Sequence, residues 1–334
     1  YVKKRINKEY KYKMKKIIIT EAYEYYWKFA TERQSIFYNR YENKAKITNN
    51  PILKKYKFTN AYRASDRVSQ YLIKEVIYKN NNYSLDDILF RILLFKIFNK
   101  IETWEYLIKR LGDIRFESFN YKYYDQLLNE RMAKGNTIYS SAYMMPSATK
   151  FKQQKKHSNH LLLLEYIMKD NFLNKVLNTN SLEELYKLLL SYPSFGKFLA
   201  FQYAIDINYS TLTDFSENDF IVAGPGALDG ISKCFKNFKD FSSEYLIKYM
   251  TENQHKEFER YGLNFKNLWG RDLKLIDCQN LFCEISKYTR VALPDIQGIS
   301  KRTRIKQKFK PLNTSIKFFY PPKWGINNNI KGLQ

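Results

Sequence analysis

Residues 192–197, Tyr-Pro-Ser-Phe-Gly-Lys, lie between two apolar helical stretches, a helix over 182–191 and FLAFQYAIDI at 198–207. Two helices joined by a tight Pro-x-x-Gly turn form a helix-hairpin-helix. Gly196 allows close backbone approach, and the exposed amides opening the second helix, with Lys197 beside them, can hold a phosphate. Asp219 follows 23 residues beyond Gly196, and Asp229 ten residues after that. A fixed carboxylate can stabilise positive charge that develops during a reaction. Paired with Ser216, Asp219 would instead be a helix-capping acid.

Two further constellations mix amides, guanidinium groups and carboxylates. Asn60, Arg63, Asp66 and Arg67 recur at i, i+3, i+6 and i+7 in FTNAYRASDRVSQYLIKEVIYK (58–79), a stretch that reads as one helix. Arg33 and Arg40 stand seven apart on one face of a helix that also carries Glu32. Asp277, Gln279, Asn280 and Glu284 make a second polar group. Such a stripe suits a polar pocket or phosphate clamp, or an internal ion-pair network. Gln and Asn are the amides that read base edges bidentately. Trp104, near Asn99 and Glu102, would stack on a flipped base or fill the core. The expected base pocket is Asn60, Arg63, Asp66, Trp104, Gln279, Asn280 and Glu284. The expected backbone contacts are Gly196, Lys197, Arg33, Arg40, Arg67, Arg302, Arg304, Lys306 and Lys308.

The elements that must position these groups are helices. With 11 Gly and 8 Pro in 334 residues, a turn-rich β-fold is disfavoured, while 44% hydrophobic residues exclude a disordered chain. EAYEYYWKFATERQSIFYNRYE (21–42) places Tyr23, Tyr26, Trp27, Ala30, Ile36 and Phe37 on one helical face. Ser84 with Asp87, and Ser181 with Glu184, mark helix starts, and 159–178 reads as one strongly apolar helix. KQQKKHS (152–158) is the expected linker, with His157 and His160 on the surface. The expected organisation is a basic segment (1–19), an N-terminal helical half (20–150), a hairpin-bearing half (159–300) and a basic-aromatic C-terminal segment (301–334).

Lys and Arg number 57 against 33 acids, a net charge of +24. This is the field of a polyanion binder, nucleic acid first of all. Eight of the first 16 residues and six of residues 301–310 are basic, the latter beside Phe309, Phe318, Phe319, Tyr320 and Trp324. Cations among aromatics suit a backbone groove with base stacking; the other reading is a basic surface strand whose aromatics pack inward. Three cysteines exclude a disulfide framework and point to a reducing, cytoplasmic setting. The spacing of Cys278 and Cys283, with Cys234 and His255 upstream, is not that of a zinc site. No apolar stretch reaches membrane-spanning length, and the first 16 residues lack the apolar core of a secretory signal. Gly224-Pro225-Gly226 is not followed by Gly-Lys-Ser/Thr, so no nucleotide-binding P-loop is expected in this chain. Neither a metal nor a cofactor is expected.

The hairpin and the acid after it resemble the helix-hairpin-helix DNA glycosylases, whose hairpin reads leucine, proline, glycine, any residue, glycine. Tyr192, Pro193, Ser194, Phe195 and Gly196 occupy it here, with Ser194 at the first glycine. In that superfamily an Asp at about this distance supports departure of the base, a role the resemblance gives to Asp219 and, as second candidate, Asp229. Lyase members carry a Lys where Phe198 stands, so hydrolysis without lyase chemistry is implied. FTNAYRASDRVSQYLI (58–73), FRILLFKIFNKIETWE (90–105), FSENDFIVAGPGALDGISKCF (215–235) and LIDCQNLFCEISKYTR (275–290) resemble one phage and bacterial group. It comprises the glutamyl/putrescinyl-thymine pyrophosphorylase-like proteins and the helical domain of 5-hydroxymethyluracil DNA kinases. The resemblance covers residues 20–310, and the group looks like a divergent branch of the glycosylases. It implies an all-α, helix-hairpin-helix glycosylase-like fold of two helical halves with a cleft between them. The implied partner is DNA containing modified bases. The expectation is an enzyme that flips a modified pyrimidine and hydrolyses its N-glycosidic bond, in the setting of defence against phages with modified DNA. The alternatives are a transferase in thymine hypermodification and a non-catalytic reader of modified DNA.

Overall fold

Low Gly and Pro content and repeated apolar spacing at helical period produce α-helices joined by short turns. The structure is a computed structural model and describes residues 15–79, 82–141, 145–311 and 317–330. The fold is all-α. Among the described residues no strand forms, and the only β-pairings are isolated bridges at Ile19–Phe235, Tyr56–Lys308 and Leu268–Arg271. No helix among them is long and apolar enough to cross a membrane. Most of the basic N-terminal segment, residues 1–14, lies outside the described residues.

The chain divides into two units, each assembled from two separated segments: Tyr1–Asp66 with Ile221–Ile316, and Arg67–Phe220 with Lys317–Gln334. This division is interleaved, whereas the sequence suggested consecutive halves split at 152–158.

The first unit is organised around helix Leu275–Ala292, most of whose side chains are buried. Helix Pro225–Cys234 lies so close to it that a Cβ at Gly230 would stand 2.0 Å from Phe282 O. Only glycine permits this approach. Helix Glu21–Tyr41 has acids in its first turn and Arg40 in its last, matching the helix dipole. Its expected apolar face, from Tyr23 to Phe37, is buried. Tyr26 Oη donates to Cys278 O at 3.1 Å, and the Trp27 ring meets Phe258 edge-on at 5.0 Å.

The single helix expected over 58–79 does not form. Asn60 N donates to Asp66 Oδ1 and Asn60 Nδ2 to Ser65 O, both at 2.8 Å. These local bonds compete with helical pairing. The result is a 3-10 turn at Arg63–Ser65, a short α-helix at Arg67–Tyr71 and a π-helix at Leu72–Ile77.

The second unit is organised around helix Leu85–Phe98, opened by the expected reciprocal capping of Ser84 and Asp87 and closed by Asn99 at φ 47°. Arg91 is fully buried in it. Its Nε and Nη2 take Val76 O and Glu75 O, and its Nη1 takes Ile114 O. Two of these carbonyls lie in the π-helix. Lys96 pairs with Asp206 of helix Lys197–Asn208 at 2.7 Å, both buried. The apolar run 159–178 is two helices, Lys156–Lys169 and Phe172–Leu177, parted where Asn171 turns left-handed at φ 50°. His157 and His160 are buried, contrary to the surface reading. His157 Nε2 lies 3.3 Å from Asp125 Oδ1, and the ring nitrogens of His160 meet Tyr139 Oη and Pro146 O at 2.8 Å. Burial pushes His160 down to about 4, so its ring is neutral at pH 7.

Candidate functional site

The residues that the sequence could only group by type converge in the first unit. The segment bent by Asn60 and Asp66 faces helices Glu21–Tyr41 and Leu275–Ala292. Arg33 is 7% exposed. Its Nε donates to Thr59 O and its Nη2 to Asn60 Oδ1, both at 2.8 Å. Asn280 Nδ2 donates to Asn60 O at 3.0 Å and to Thr59 Oγ1 at 3.1 Å. Glu284 Oε2 accepts from Thr59 N at 3.0 Å and pairs with Lys287 Nζ at 2.8 Å. Asp277 Oδ1 accepts from Arg63 N at 2.9 Å, while its Oδ2 accepts from Lys274 N. The cluster therefore gathers Arg33, Asn60, Arg63, Asp66, Asn280 and Glu284 of the expected site, with Thr59 and Lys287 added.

The electrostatics are those of a partly dehydrated polar cluster. Burial brings the Arg33 guanidinium down to about 10, against the pull of Asp66 and Glu284. Burial lifts the half-buried Asp66 carboxyl to about 7, although Asn60 N–H, Arg33 and Arg63 favour its anion. Hydrogen-bonding capacity is left over: Arg33 Nη1, Asp66 Oδ2 and Glu284 Oε1 have no hydrogen-bond partner among the described residues. None of the three is among the fully buried atoms left without a partner, so they are open to solvent, and a polar ligand could take the place of water on them.

Other expected residues lie elsewhere. Gln279 is buried, with Nε2 3.7 Å from Cys283 Sγ. Trp104 is in the second unit, buried edge-on to Phe95 at 5.7 Å and beneath Arg91; the core reading holds for it. Arg67, also in that unit, makes an exposed ion pair with Glu102 at 3.3 Å. Gly196 and Lys197 are exposed at the start of the second hairpin helix, and Ser194 adopts φ 67° at the place of the hairpin glycine. Asp219 is exposed in a turn region rather than at a helix start. Asp229 is buried and accepts from Ser286 Oγ at 2.5 Å and Ser300 N at 2.7 Å. Its burial would raise its carboxyl, but these bonds and the Lys233 charge hold it below the usual range. It clamps residues 298–300, where a Cβ on Gly298 would lie 2.3 Å from Asp229 Oδ1.

Of the missed residues, Lys287 had a local signal, one helical turn beyond Glu284. Thr59 had none, because it contributes largely through its backbone.

The fold is all-helical, the sequence is strongly basic, and the first unit holds a largely buried amide–guanidinium–carboxylate cluster. Residues 20–298 match the family described as the helical domain of 5-hmdU DNA kinase, and the chain belongs to that family. It is 26% identical over 278 residues to a 5-hmdU DNA kinase of Bacillus phage SP10, a match that covers 77% of this chain and 43% of the relative. The chain thus spans less than half the length of that curated relative. No solved structure matches it.

These findings overturn the expectation of a hydrolytic glycosylase. The family is named for the helical domain of a kinase, a phosphotransferase, which belongs with the transferase alternative. The excision roles given to Asp219 and Asp229 fall with the reaction they were to serve, and so do the labels of glycosylase and hydrolase.

Proposed function

We propose that this chain holds a 5-hydroxymethyluracil base of DNA for phosphoryl transfer to its hydroxymethyl oxygen. The observation that carries this reading is the unfilled valence of the cluster. The Watson–Crick edge of a uracil presents a carbonyl, an N–H and a second carbonyl. Arg33 Nη1 is a spare donor for a carbonyl or for the hydroxymethyl oxygen, and Asp66 Oδ2 and Glu284 Oε1 are spare acceptors for the ring N–H or the hydroxymethyl O–H. A base reaches such a pocket only when flipped from the stack.

In the reaction the hydroxymethyl oxygen forms a bond to the terminal phosphorus of a nucleoside triphosphate. The bond from that phosphorus to the diphosphate leaving group breaks, and the hydroxyl proton passes to a base. Catalysis of this kind rests mostly on positioning. The residues described above supply positioning of the acceptor. These 334 residues contain no Gly-x4-Gly-Lys-Ser/Thr, so the triphosphate is not assigned to a P-loop within them.

The test compares two oligonucleotides of one sequence, with 5-hydroxymethyluracil or thymine at one position. Binding should favour the modified strand, and nucleoside mass spectrometry after incubation should find every base still attached. Equal binding would remove the base-holding role. Abasic sites would restore excision.

A further inference from the structure

The C-terminal run 302–308 is not a frayed basic tail. Lys57 N donates to Gln307 O and Phe309 N to Lys55 O, both at 3.0 Å, around the antiparallel Tyr56–Lys308 bridge. Arg290 Nη1 holds Arg304 O at 3.1 Å. Residues 307–309 are thus paired with residues 55–57, and Arg290 ties down the chain three residues earlier. Where such a chain runs extended, side chains two apart share a side. Arg302, Arg304, Lys306 and Lys308 are exposed, whereas Ile305 and Phe309 are half-buried, the Phe309 ring lying 4.9 Å beneath Arg40.

The charge of this edge is not neutralised by the protein. Residues 43–65 and 296–334, which supply its two sides, contain no Asp or Glu. Among the described residues, none of Lys54, Lys55, Lys57, Arg302, Arg304, Lys306 and Lys308 makes an ion pair. Elsewhere on the surface, cations such as Lys28, Arg110 and Lys187 do so with acids one turn away or on a neighbouring helix.

We infer that this edge is a track for the backbone of a single DNA strand. Every second residue of an extended chain advances about 6.6 Å, a step comparable with that between successive phosphates of one strand. The alternating cations can therefore meet consecutive phosphates in register. Lys55 and Lys57 on the adjoining segment widen the row without changing its direction. A straight row one strand wide does not follow both backbones of a duplex, so the commitment is to single-stranded DNA, or to the one strand exposed where a duplex has opened. The inference rests on the reading that the partner is DNA, but not on a modified base, so plain oligothymidylate is a sufficient probe.

The experiment measures affinity for oligothymidylate, and for a duplex of mixed sequence, across a salt series. It uses the full chain and a variant with Arg302→Gln, Arg304→Gln, Lys306→Gln and Lys308→Gln. A control variant carries Lys109→Gln, Lys122→Gln, Lys134→Gln and Lys152→Gln, which removes equal charge from exposed positions elsewhere. Each phosphate contact on a single strand contributes about 0.7 to the slope of log affinity against log salt. The edge variant should therefore flatten the single-strand slope by about 3, and the control should not. Equal flattening in both variants would reduce the edge to its share of net charge and overturn the inference. Loss confined to the duplex would overturn the single-strand commitment. Because thymine alone is present, a failed test of hydroxymethyl discrimination would leave this result standing, and the reverse holds as well.

Discussion

Arg33 in the first unit and Arg91 in the second are both withdrawn from water, yet they spend their hydrogen bonds differently. Arg91 gives its donors to three backbone carbonyls and to Asp113, and it lies 3.9 Å from the Tyr83 ring and 5.1 Å from that of Trp104. It finishes a fold, holding carbonyls near the end of a π-helix that have no regular helical partner. Among the described residues Arg33 is held by Thr59 O and Asn60 Oδ1 and retains Nη1. Around it the carboxyls of Asp66 and Glu284 each keep an oxygen in reserve. A buried network with every valence used rigidifies structure, while one whose spare atoms are open to solvent can exchange water for a polar ligand. The difference is that between a closed polar core and the cluster proposed above to hold the base, and three perturbations can break or sharpen it.

The largest effect is expected in the second unit. Lys96 and Asp206 are 4% and 1% exposed at their side chains and 2.7 Å apart. Lys96→Met removes one charge and leaves the other buried. Breaking a buried pair in this way costs about 3–5 kcal/mol, to be read as a lowered denaturant midpoint. DNA affinity measured well below the unfolding transition should be unaltered. A variant that kept its stability while losing modified-base discrimination would move the recognition site out of the first unit.

A smaller effect, with a definite sign, is expected from Asp66. Its carboxyl rises from 3.8 to about 7 on folding, because burial penalises the anion. Between these values the folded chain holds a proton that the unfolded chain has released. Stability should then fall as pH rises from about 4 to about 7, with the whole cost present above 7. Asp66→Asn cannot titrate, so it should flatten that part of the profile and be the more stable form at pH 8, measured by chemical denaturation. The gain should stay below the loss in Lys96→Met, because Asp66 is only half-buried. A parallel pH profile in the variant would show that the carboxyl does not carry this cost. No comparable gain is expected from neutralising Asp206, which has a cation beside it.

How far these features could be read in the sequence follows from how local their causes are. The helix at Glu21–Tyr41 and the capping of Ser84 by Asp87 depend on neighbours within one or two turns, and both were legible. The helix expected over 58–79 was not correct, because the side chains of Asn60 and Asp66 bond to backbone inside the seven-residue loop 60–66 and override the apolar period. The two residues belong to one cluster, but through that loop rather than along a helical stripe. Asn280 and Glu284 reach Thr59 across more than 220 residues, which no spacing rule anticipates. Gln279 was grouped with Asn280 because they are adjacent, and adjacent helical residues do not share a face. His157 and His160 looked superficial because Asp125 and Tyr139 are distant in sequence.

The smallest and most specific effect should come from Arg33→Lys. The substitution keeps a cation but replaces a planar fork with a single ammonium. The guanidinium spans two protein acceptors with Nε and Nη2 and still has Nη1 to offer. An ammonium placed among Thr59 O, Asn60 Oδ1 and the hydroxymethyl oxygen, the one group that thymine lacks, cannot match that planar set of directions. Phosphate contacts position a nucleic acid without specifying its sequence, whereas base contacts specify. Affinity for thymine-containing DNA should therefore change little, and preference for 5-hydroxymethyluracil should fall by about 1–3 kcal/mol, the scale of one well-made base contact. The measurement is competitive binding of the two oligonucleotides at one salt concentration. Equal weakening toward both would make Arg33 a backbone contact or a structural residue, and its difference from Arg91 would then be one of exposure alone. A selective loss, with the unfolding free energy held within about 1 kcal/mol of the parent, would assign the spare donor of the first unit to the base itself.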